Sequence, residues 1–561
     1  MTKNTGYPSI DKPWLKYYKD AYKMIDTNNT IYQNFVSLCN ENENKEALFL
    51  NDRCITRKEL LELSDMAAES FSFFSKGRTL KVGFLSVNRY EDSFLFLGLN
   101  KIGGISKFMS FDKSPMEIRN SIEETSLDML VLDGLMLHLN PIINPNNLPV
   151  IIVGDCDEEY NKENCFSVKM FLKNKLTINR VDNNINKPSL IISSSGTTGA
   201  PKPIVHTDYT VNVAVSNILF SDYGLSNESL ILKVIPSHIG LGIITSLCVG
   251  LLSGIPLIYI NYNSPDDCIA KIVNVVKTFN NRFANTQYRY LHIFASPVFF
   301  RGLISQMDDV GDLSFVKGML AAGSKMSEAE LLQFSDFLQE RNCNVPICNG
   351  YGQNEMGGAV TLNTNTHNVN GSAGFPVVSS NIAIVNPDTL ELLKYNETGL
   401  VVEQSECQML YYENMPELTQ KANIQLKDGS QWFNTNDLGY IDENGFLYIT
   451  GRITRVIIKF DHKIPLDGIE SKMRTHKAVK ECAVVVKRDN EKESAIAFIS
   501  LKPEYKTLYS NGRKLYDELQ KTEFALMPLE ECDEFIILEE LPYMANGKVN
   551  YRALEEEAQK K

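Results

Sequence analysis

Ser193-Ser194-Ser195-Gly196-Thr197-Thr198-Gly199-Ala200-Pro201-Lys202 alternates hydroxyl residues with glycine and ends on a cation, directly after the apolar run Leu190-Ile191-Ile192. The apolar run reads as a buried strand, so the hydroxyl-glycine segment is the loop at its end. Glycines allow backbone N–H groups to converge, hydroxyls add donors, and lysine adds a full positive charge, which together suit a polyphosphate. A flexible Ser/Gly linker is the plainer alternative, but it needs neither a preceding strand nor Pro-Lys at a fixed offset. The common nucleotide loop is Gly, four residues, then Gly-Lys-Ser/Thr opening a helix. Pro201 and Pro203 exclude that geometry here, and Ile204-Val205-His206-Thr207 reads as a second strand.

Other segments carry complementary chemistry. In Asn349-Gly350-Tyr351-Gly352-Gln353-Asn354-Glu355 a tyrosine between glycines can lie flat on a purine, and the glutamate can hold magnesium. The same residues also read as a glycine turn with a surface glutamate. Asp437, in Trp432-Phe433-Asn434-Thr435-Asn436-Asp437-Leu438-Gly439, is expected at a strand end, where its oxygens can accept from ribose hydroxyls, or serve as a turn residue. Gly451-Arg452 supplies a guanidinium for ribose or phosphate, or a surface arginine. His238, in Pro236-Ser237-His238-Ile239-Gly240-Leu241-Gly242, reads either as a core histidine or as a gate to an apolar acyl tunnel. Ala321-Ala322-Gly323-Ser324 allows backbone to approach adenine or the acyl group. Gly357 and Gly358 leave room for a bulky chain or make a tight turn. Near the C-terminus, Asn546-Gly547 makes a tight turn that throws Lys548 out at its tip.

In order and separation these motifs resemble those of the adenylate-forming enzymes: acyl-CoA synthetases, adenylation domains and luciferases. The resemblance covers roughly residues 45 to 555 and is nearest to acyl-CoA synthetases. It implies an α/β fold: a large N-terminal domain, residues 1–451, of two wound sheets plus a small β-barrel at about 370–450, and a small mobile α+β lid, residues 452–561. It implies ATP-dependent conversion of a carboxylic acid, fatty or aryl, to acyl-AMP with release of pyrophosphate, then transfer to a thiol, coenzyme A first. It assigns Ser195, Gly196, Thr197, Thr198, Gly199 and Lys202 to the phosphates, Thr197 also to catalysis and metal, and Glu355 to magnesium. Gly323, Asn349, Tyr351, Gly352 and Asn354 fall to the nucleotide, Asp437 and Arg452 to ribose. His238, Gly240, Ala321 and Gly357 fall to the acyl pocket, with His238 also catalytic, and Lys548 is the catalytic lysine. Three positions depart from the pattern: Asn354 replaces a threonine, Thr454 stands at the hinge pivot where Asp or Lys is usual, and Asp461 stands in a segment lacking its usual glycine. Amino-acid-activating relatives carry an aspartate near Pro236–Gly242; its absence favours an acid without an α-amino group. Loading of a separate carrier protein's phosphopantetheine, a luciferase-like oxygenase and a regulatory pseudoenzyme are the alternative functions.

Positioning such residues requires wound parallel sheets. Strand-like runs at Val82–Val87, Met129–Leu132, Pro149–Val153, Val345–Cys348 and Ile382–Val385 alternate with helical patterns at Glu59–Phe74 and Ser327–Gln339. Beyond residue 452, Glu481–Val486, Ser494–Leu501 and Glu534–Leu538 read as strands and Leu515–Leu526 as a helix. The uncharged stretch Ile239–Ile260 is long enough to span a bilayer, but its glycines and Pro256 predict a buried helix, a turn and a strand. At 561 residues several domains are expected. The net charge of −13, without a basic cluster, argues against nucleic-acid binding. Eleven scattered cysteines without a metal-ligand spacing, and a polar N-terminus unlike a signal peptide, predict a cytoplasmic protein.

Overall fold

The computed structural model describes residues 5–560 except 21, 52, 112, 163, 177–182, 194–201, 307–309, 324, 325, 327, 454, 460, 461, 490, 491, 510, 511, 523–525 and 544–548. The expectations for Ser195, Gly196, Thr197, Thr198, Gly199, Ser324, Thr454, Asp461 and Lys548 lie outside the described residues.

Apolar runs such as Met129–Asp133, Val150–Val153 and Leu257–Tyr259 are buried along their whole length, the pattern of strands covered on both faces. They fall into two sheets of nine strands each among the described residues. In the first, Ile347–Tyr351, Val316–Ala321, Tyr290–Ala295, Ser229–Lys233, Leu257–Tyr259 and Glu46–Phe49 run parallel in that spatial order. In the second, the parallel order is Pro188–Ser193, Ile105–Phe108, Lys81–Leu85, Met129–Asp133, Val150–Val153 and Cys165–Ser167. Pro203–Thr207 and Tyr411–Tyr412 extend one edge of this second sheet in antiparallel fashion.

One asparagine joins the two sheets. Asn88, in the left-handed region at φ 54°, follows the strand Lys81–Leu85. Its Nδ2 donates to the carbonyls of Lys233 and Ile260, both at 2.9 Å, and its Oδ1 accepts from Lys233 Nζ at 2.8 Å. Burial pushes the Lys233 ammonium down to about 7. Beside it, Arg89 grips Asp133 through two parallel bonds of 2.7 and 3.0 Å, both residues buried. Buried polar groups tolerate few arrangements, because each unmade bond costs about 1–3 kcal/mol; here they set how the sheets meet.

The stretch Ile239–Ile260 is a buried helix through Ser253, a turn at Gly254 and the strand Leu257–Tyr259. Among the described residues no helix is long and apolar enough to cross a membrane. Several expected boundaries move. Pro346 lacks an N–H for the ladder, so the strand expected from Val345 starts at Ile347 and continues through Tyr351. The helix expected over Leu515–Leu526 is Gly512–Leu519, and the Thr522 hydroxyl takes the Leu519 carbonyl at 2.7 Å beyond its end. Asp437 lies inside the long strand Gln431–Ile441 rather than at a strand end.

That long strand belongs to a five-stranded antiparallel sheet running from Ser380 to Arg452, the small β unit expected at about 370–450. The chain then forms a smaller unit with its own core, including Ile457, Met473, Val484, Ile499 and Leu515. It comprises a hairpin, the three-stranded sheet Val479–Asp489, Lys492–Leu501 and Glu534–Leu538, and helices such as Leu466–Arg474.

Within the five-stranded sheet, Glu403 is fully buried, accepting from Ser380 at 2.8 Å with Oε1 while Oε2 has no partner. Burial pushes its carboxyl up from 4.5 to about 8. The folded state therefore holds a proton that the unfolded chain releases above 4.5. Stability from this group is fully present below that value and is lost as pH rises through about 8. Glu403→Gln, which mimics the protonated acid, is expected to raise the melting temperature by a few degrees at pH 8 and by less at pH 5; thermal melts of both proteins across that range check it.

Candidate active site

The strands Pro188–Ser193 and Ile347–Tyr351 deliver the two principal motifs at their carboxyl ends, where open α/β sheets place their ligand sites. Around them the described residues form three linked groups.

The first group centres on Asp437, which is 2% exposed. Its Oδ2 accepts from the Tyr351 hydroxyl at 2.5 Å and from Gln353 Nε2 at 3.1 Å. Its Oδ1 faces Arg452 Nε at 3.0 Å, across a ladder in which Asp437 and Arg452 are direct partners. Burial raises the Asp437 carboxyl, against the pull of Arg452 and its hydrogen bonds. Burial and the neighbouring Asp437 hold the Tyr351 phenol protonated, so it donates. Gln353 Nε2 also reaches the Tyr351 hydroxyl at 2.9 Å and the Thr435 carbonyl at 3.1 Å. Nearby, the buried Asn349 Oδ1 has no partner among the described residues, leaving an acceptor suited to an exocyclic amine.

In the second group, Asn354 Nδ2 donates to the Ser193 carbonyl at 3.2 Å, tying the tyrosine motif to the end of the strand that precedes the hydroxyl-glycine segment. Its Oδ1 lies 2.5 Å from where a Cβ on Gly240 would stand. Asparagine in place of threonine is thus accommodated by a glycine on the segment that carries His238. His238 meets Phe111 edge-on, with ring centroids 5.2 Å apart. The fully buried His206 donates from Nε2 to the Asn354 carbonyl at 2.7 Å, and burial lowers its pKa to about 4, keeping it neutral.

In the third group, Glu355 Oε1 accepts from the Tyr412 hydroxyl at 2.8 Å, and Lys202 Nζ stands 5.5 Å from the centre of the Tyr412 ring. Among the described residues no cluster of three or more metal-ligating side chains occurs. A magnesium ion shared between one carboxylate, phosphates and water needs none, so Glu355 fits that role.

One acyl-pocket expectation is adjusted. A Cβ on Gly357 would stand 2.8 Å from Ala214 Cβ and 3.3 Å from Cys407 Cβ, and φ is +66°; it is a tight-turn residue, and the space beside it is filled by protein. Gly352 is similar: a Cβ there would stand 1.6 Å from the Gly358 carbonyl oxygen. Ala321 ends the strand Val316–Ala321 and is buried, and Gly323 follows at φ +93° with open space where a side chain would be. Sequence reasoning missed His206, Gln353 and Tyr412. The first two stood inside segments already singled out, while Tyr412 comes from an edge strand without a motif of its own.

A family model described as AMP-binding enzyme matches residues 35–413, and one described as AMP-binding enzyme C-terminal domain matches residues 468–548. The chain belongs to the AMP-binding enzyme family. Among curated relatives, the chain is 22% identical to 3-hydroxybenzoate–CoA ligase of Aromatoleum sp. (strain CIB), covering 90% of this chain and 92% of that protein. It is 25% identical to a probable CoA ligase of Humulus lupulus, over 78% and 77% of the two chains. Among solved structures, an anthranilate CoA ligase in complex with anthranoyl-AMP superposes with a TM-score of 0.79 at 20% identity, over 96% of this chain and 98% of that one. O-succinylbenzoate coenzyme A synthetase from Bacillus subtilis, in complex with ATP and magnesium ion, gives 0.76 at 20% identity, over 93% and 99%.

The contact between Gly240 and Asn354 is directly testable. Gly240→Ala is expected to destabilise by about 1–3 kcal/mol, because the added methyl must push the amide off the Ser193 carbonyl. Asn354→Ala removes the obstacle, so the double variant should lose less than the two single losses combined. Melting temperatures of the four proteins measure that coupling; strict additivity would show that the pair does not interact.

Proposed function

We propose that this chain is an AMP-forming acid–thiol ligase acting on a carboxylic acid that lacks an α-amino group. The convergence of Tyr351, Gln353 and Arg452 on buried Asp437, within a chain of the AMP-binding enzyme family, carries the reading. The substrate carboxylate attacks the α-phosphorus of ATP, the bond to the bridging oxygen breaks, and pyrophosphate departs. A thiolate, that of coenzyme A, then attacks the acyl carbon and AMP leaves. Both first reactants are anions, so the site must supply positive charge and fixed donors where negative charge builds.

The residues divide that work. Asp437 accepts from the ribose hydroxyls in place of Tyr351, and the Tyr351 ring lies against adenine. Asn349 Oδ1 accepts from the adenine amine. Thr197, Thr198 and Lys202 hold the phosphates, and Lys548 bridges the attacking carboxylate and the α-phosphate. Glu355 would hold magnesium, whose charge eases the departure of pyrophosphate. His238 lines the acyl pocket with Phe111. We place the domain boundary near residue 452, because Arg452 pairs with Asp437 while Arg455 pairs with Asp467 and Glu470. Eleven scattered cysteines without a metal-ligand spacing support a cytoplasmic setting.

The relatives' names put benzoates and other aryl acids at the head of the substrate panel, with fatty acids behind them. Acid-dependent exchange of labelled pyrophosphate into ATP is expected with at least one of them. Binding of ATP without exchange for any acid would leave a nucleotide-binding regulator instead. Lys548→Ala is expected to lower exchange by at least about 100-fold while leaving the melting temperature unchanged; full activity would overturn its role. Offering coenzyme A and carrier-protein thiols in parallel identifies the acceptor.

A further inference from the structure

Tyr412 belongs to no motif picked out in the sequence, yet it touches both halves of the phosphate end of the site. It lies on the edge strand Tyr411–Tyr412, paired antiparallel with the strand that leaves the phosphate loop, Tyr412 opposite Ile204. Leu410 N and Glu413 N donate to the Val205 and Pro203 carbonyls, each at 2.8 Å, and Met409 N donates to the Glu355 carbonyl at 2.7 Å. The backbone at 409–413 is therefore stitched to the phosphate-loop strand and to Glu355 at once. The side chain repeats the link. Its hydroxyl donates to Glu355 Oε1 at 2.8 Å, and its ring stands 5.5 Å from the Lys202 ammonium. Tyr412 is only 5% exposed.

We propose that Tyr412 is a positioning residue for magnesium–pyrophosphate: its hydroxyl fixes the Glu355 carboxylate for the cation, and its ring sets where the Lys202 ammonium stands. The proposal rests on the ligase reading above. A carboxylate tethered through one oxygen presents the other in a single orientation, so the geometry is prepaid before nucleotide binds. Partners of this kind, one step removed from the metal, are typically worth 10–100-fold in metal affinity. The aromatic face adds a cation–π attraction that holds Lys202 near the same phosphates.

Tyr412→Phe keeps the ring and removes only the donor. With a non-hydrolysable ATP analogue present, Mn2+ titrations followed by electron paramagnetic resonance are expected to show affinity weakened roughly 10- to 100-fold. The Mg2+ concentration for half-maximal pyrophosphate exchange should rise in parallel, with KM for the acid unchanged. Tyr412→Leu, which loses the ring as well, should additionally raise KM for ATP. In a Glu355→Gln background, Tyr412→Phe should add no further loss of Mn2+ affinity. Thr419→Ala supplies the structural control. Thr419 Oγ1 accepts from Tyr412 N at 3.0 Å, so this change loosens the same segment without touching the hydroxyl; the melting temperature should fall and Mn2+ affinity should hold.

Unchanged Mn2+ affinity in Tyr412→Phe, an equal loss in the Glu355→Gln background, or an equal loss in Thr419→Ala would each overturn the proposal. So would an unsubstituted protein that takes up no Mn2+ with the nucleotide. The ligase reading fails separately, through absence of exchange with every acid in the unsubstituted protein, and the Mn2+ titrations judge Tyr412 without any turnover.

Discussion

A buried carboxylate organises this molecule. Taking Asp437 out of water costs several kcal/mol unless donors replace the lost hydration, and three side chains supply them: Tyr351, Gln353 and Arg452. Each comes from a place the chain must bring to Asp437. Tyr351 ends a strand of the first parallel sheet, Gln353 follows it in the turn, and Arg452 ends the last strand of the antiparallel sheet. Satisfying one acid therefore fixes the register between two sheets and the point where the chain leaves for its smaller unit.

The turn that carries Gln353, Asn354 and Glu355 is held as tightly from within. Gly352 lies against the Gly358 carbonyl, where a side chain cannot fit, so residues 352–358 close on themselves. His206, whose pKa burial lowers to about 4, donates to the Asn354 carbonyl from the strand Pro203–Thr207. Three consecutive side chains are consequently aimed in three directions: Gln353 at Asp437, Asn354 at Ser193 and Glu355 at Tyr412. A rigid turn of this kind can serve several chemical tasks because its residues cannot exchange places.

The sequence made the parallel sheets legible because strands buried on both faces are written as unbroken apolar runs, and the main motifs because their residue types are unusual together. Partners were less visible. Gln353 looked like a spacer between a tyrosine and a glutamate, and its bonds run to Thr435 and Asp437, more than eighty positions away. Tyr412 stood in a mixed apolar and polar stretch, Met409-Leu410-Tyr411-Tyr412-Glu413-Asn414, whose meaning depends on which strand it joins, and edge pairing leaves no periodic signal. Asp437 was expected at a strand end or in a turn, within a segment that also holds Asn434, Asn436 and Gly439. The strand runs on through them, Asn436 taking a left-handed φ of 59° while the ladder shifts register around Thr450. Gly357 looked like room for a substrate; only the packing of Ala214 and Cys407 shows that the room is occupied.

The same logic continues past residue 452. Arg452 offers its side chain to Asp437 while its backbone N–H donates to Asp467 at 3.1 Å. Three residues later Arg455 turns the opposite way, pairing with Asp467 and Glu470 and lying 3.7 Å from the centre of the Tyr551 ring. Glu470, 2% exposed, also takes Arg474 and the Val484 N–H, so the smaller unit has a buried charged hub of its own. The half-exposed Arg452–Asp437 pair is the weaker anchor, because water screens it, whereas Arg455 is enclosed by partners on several sides.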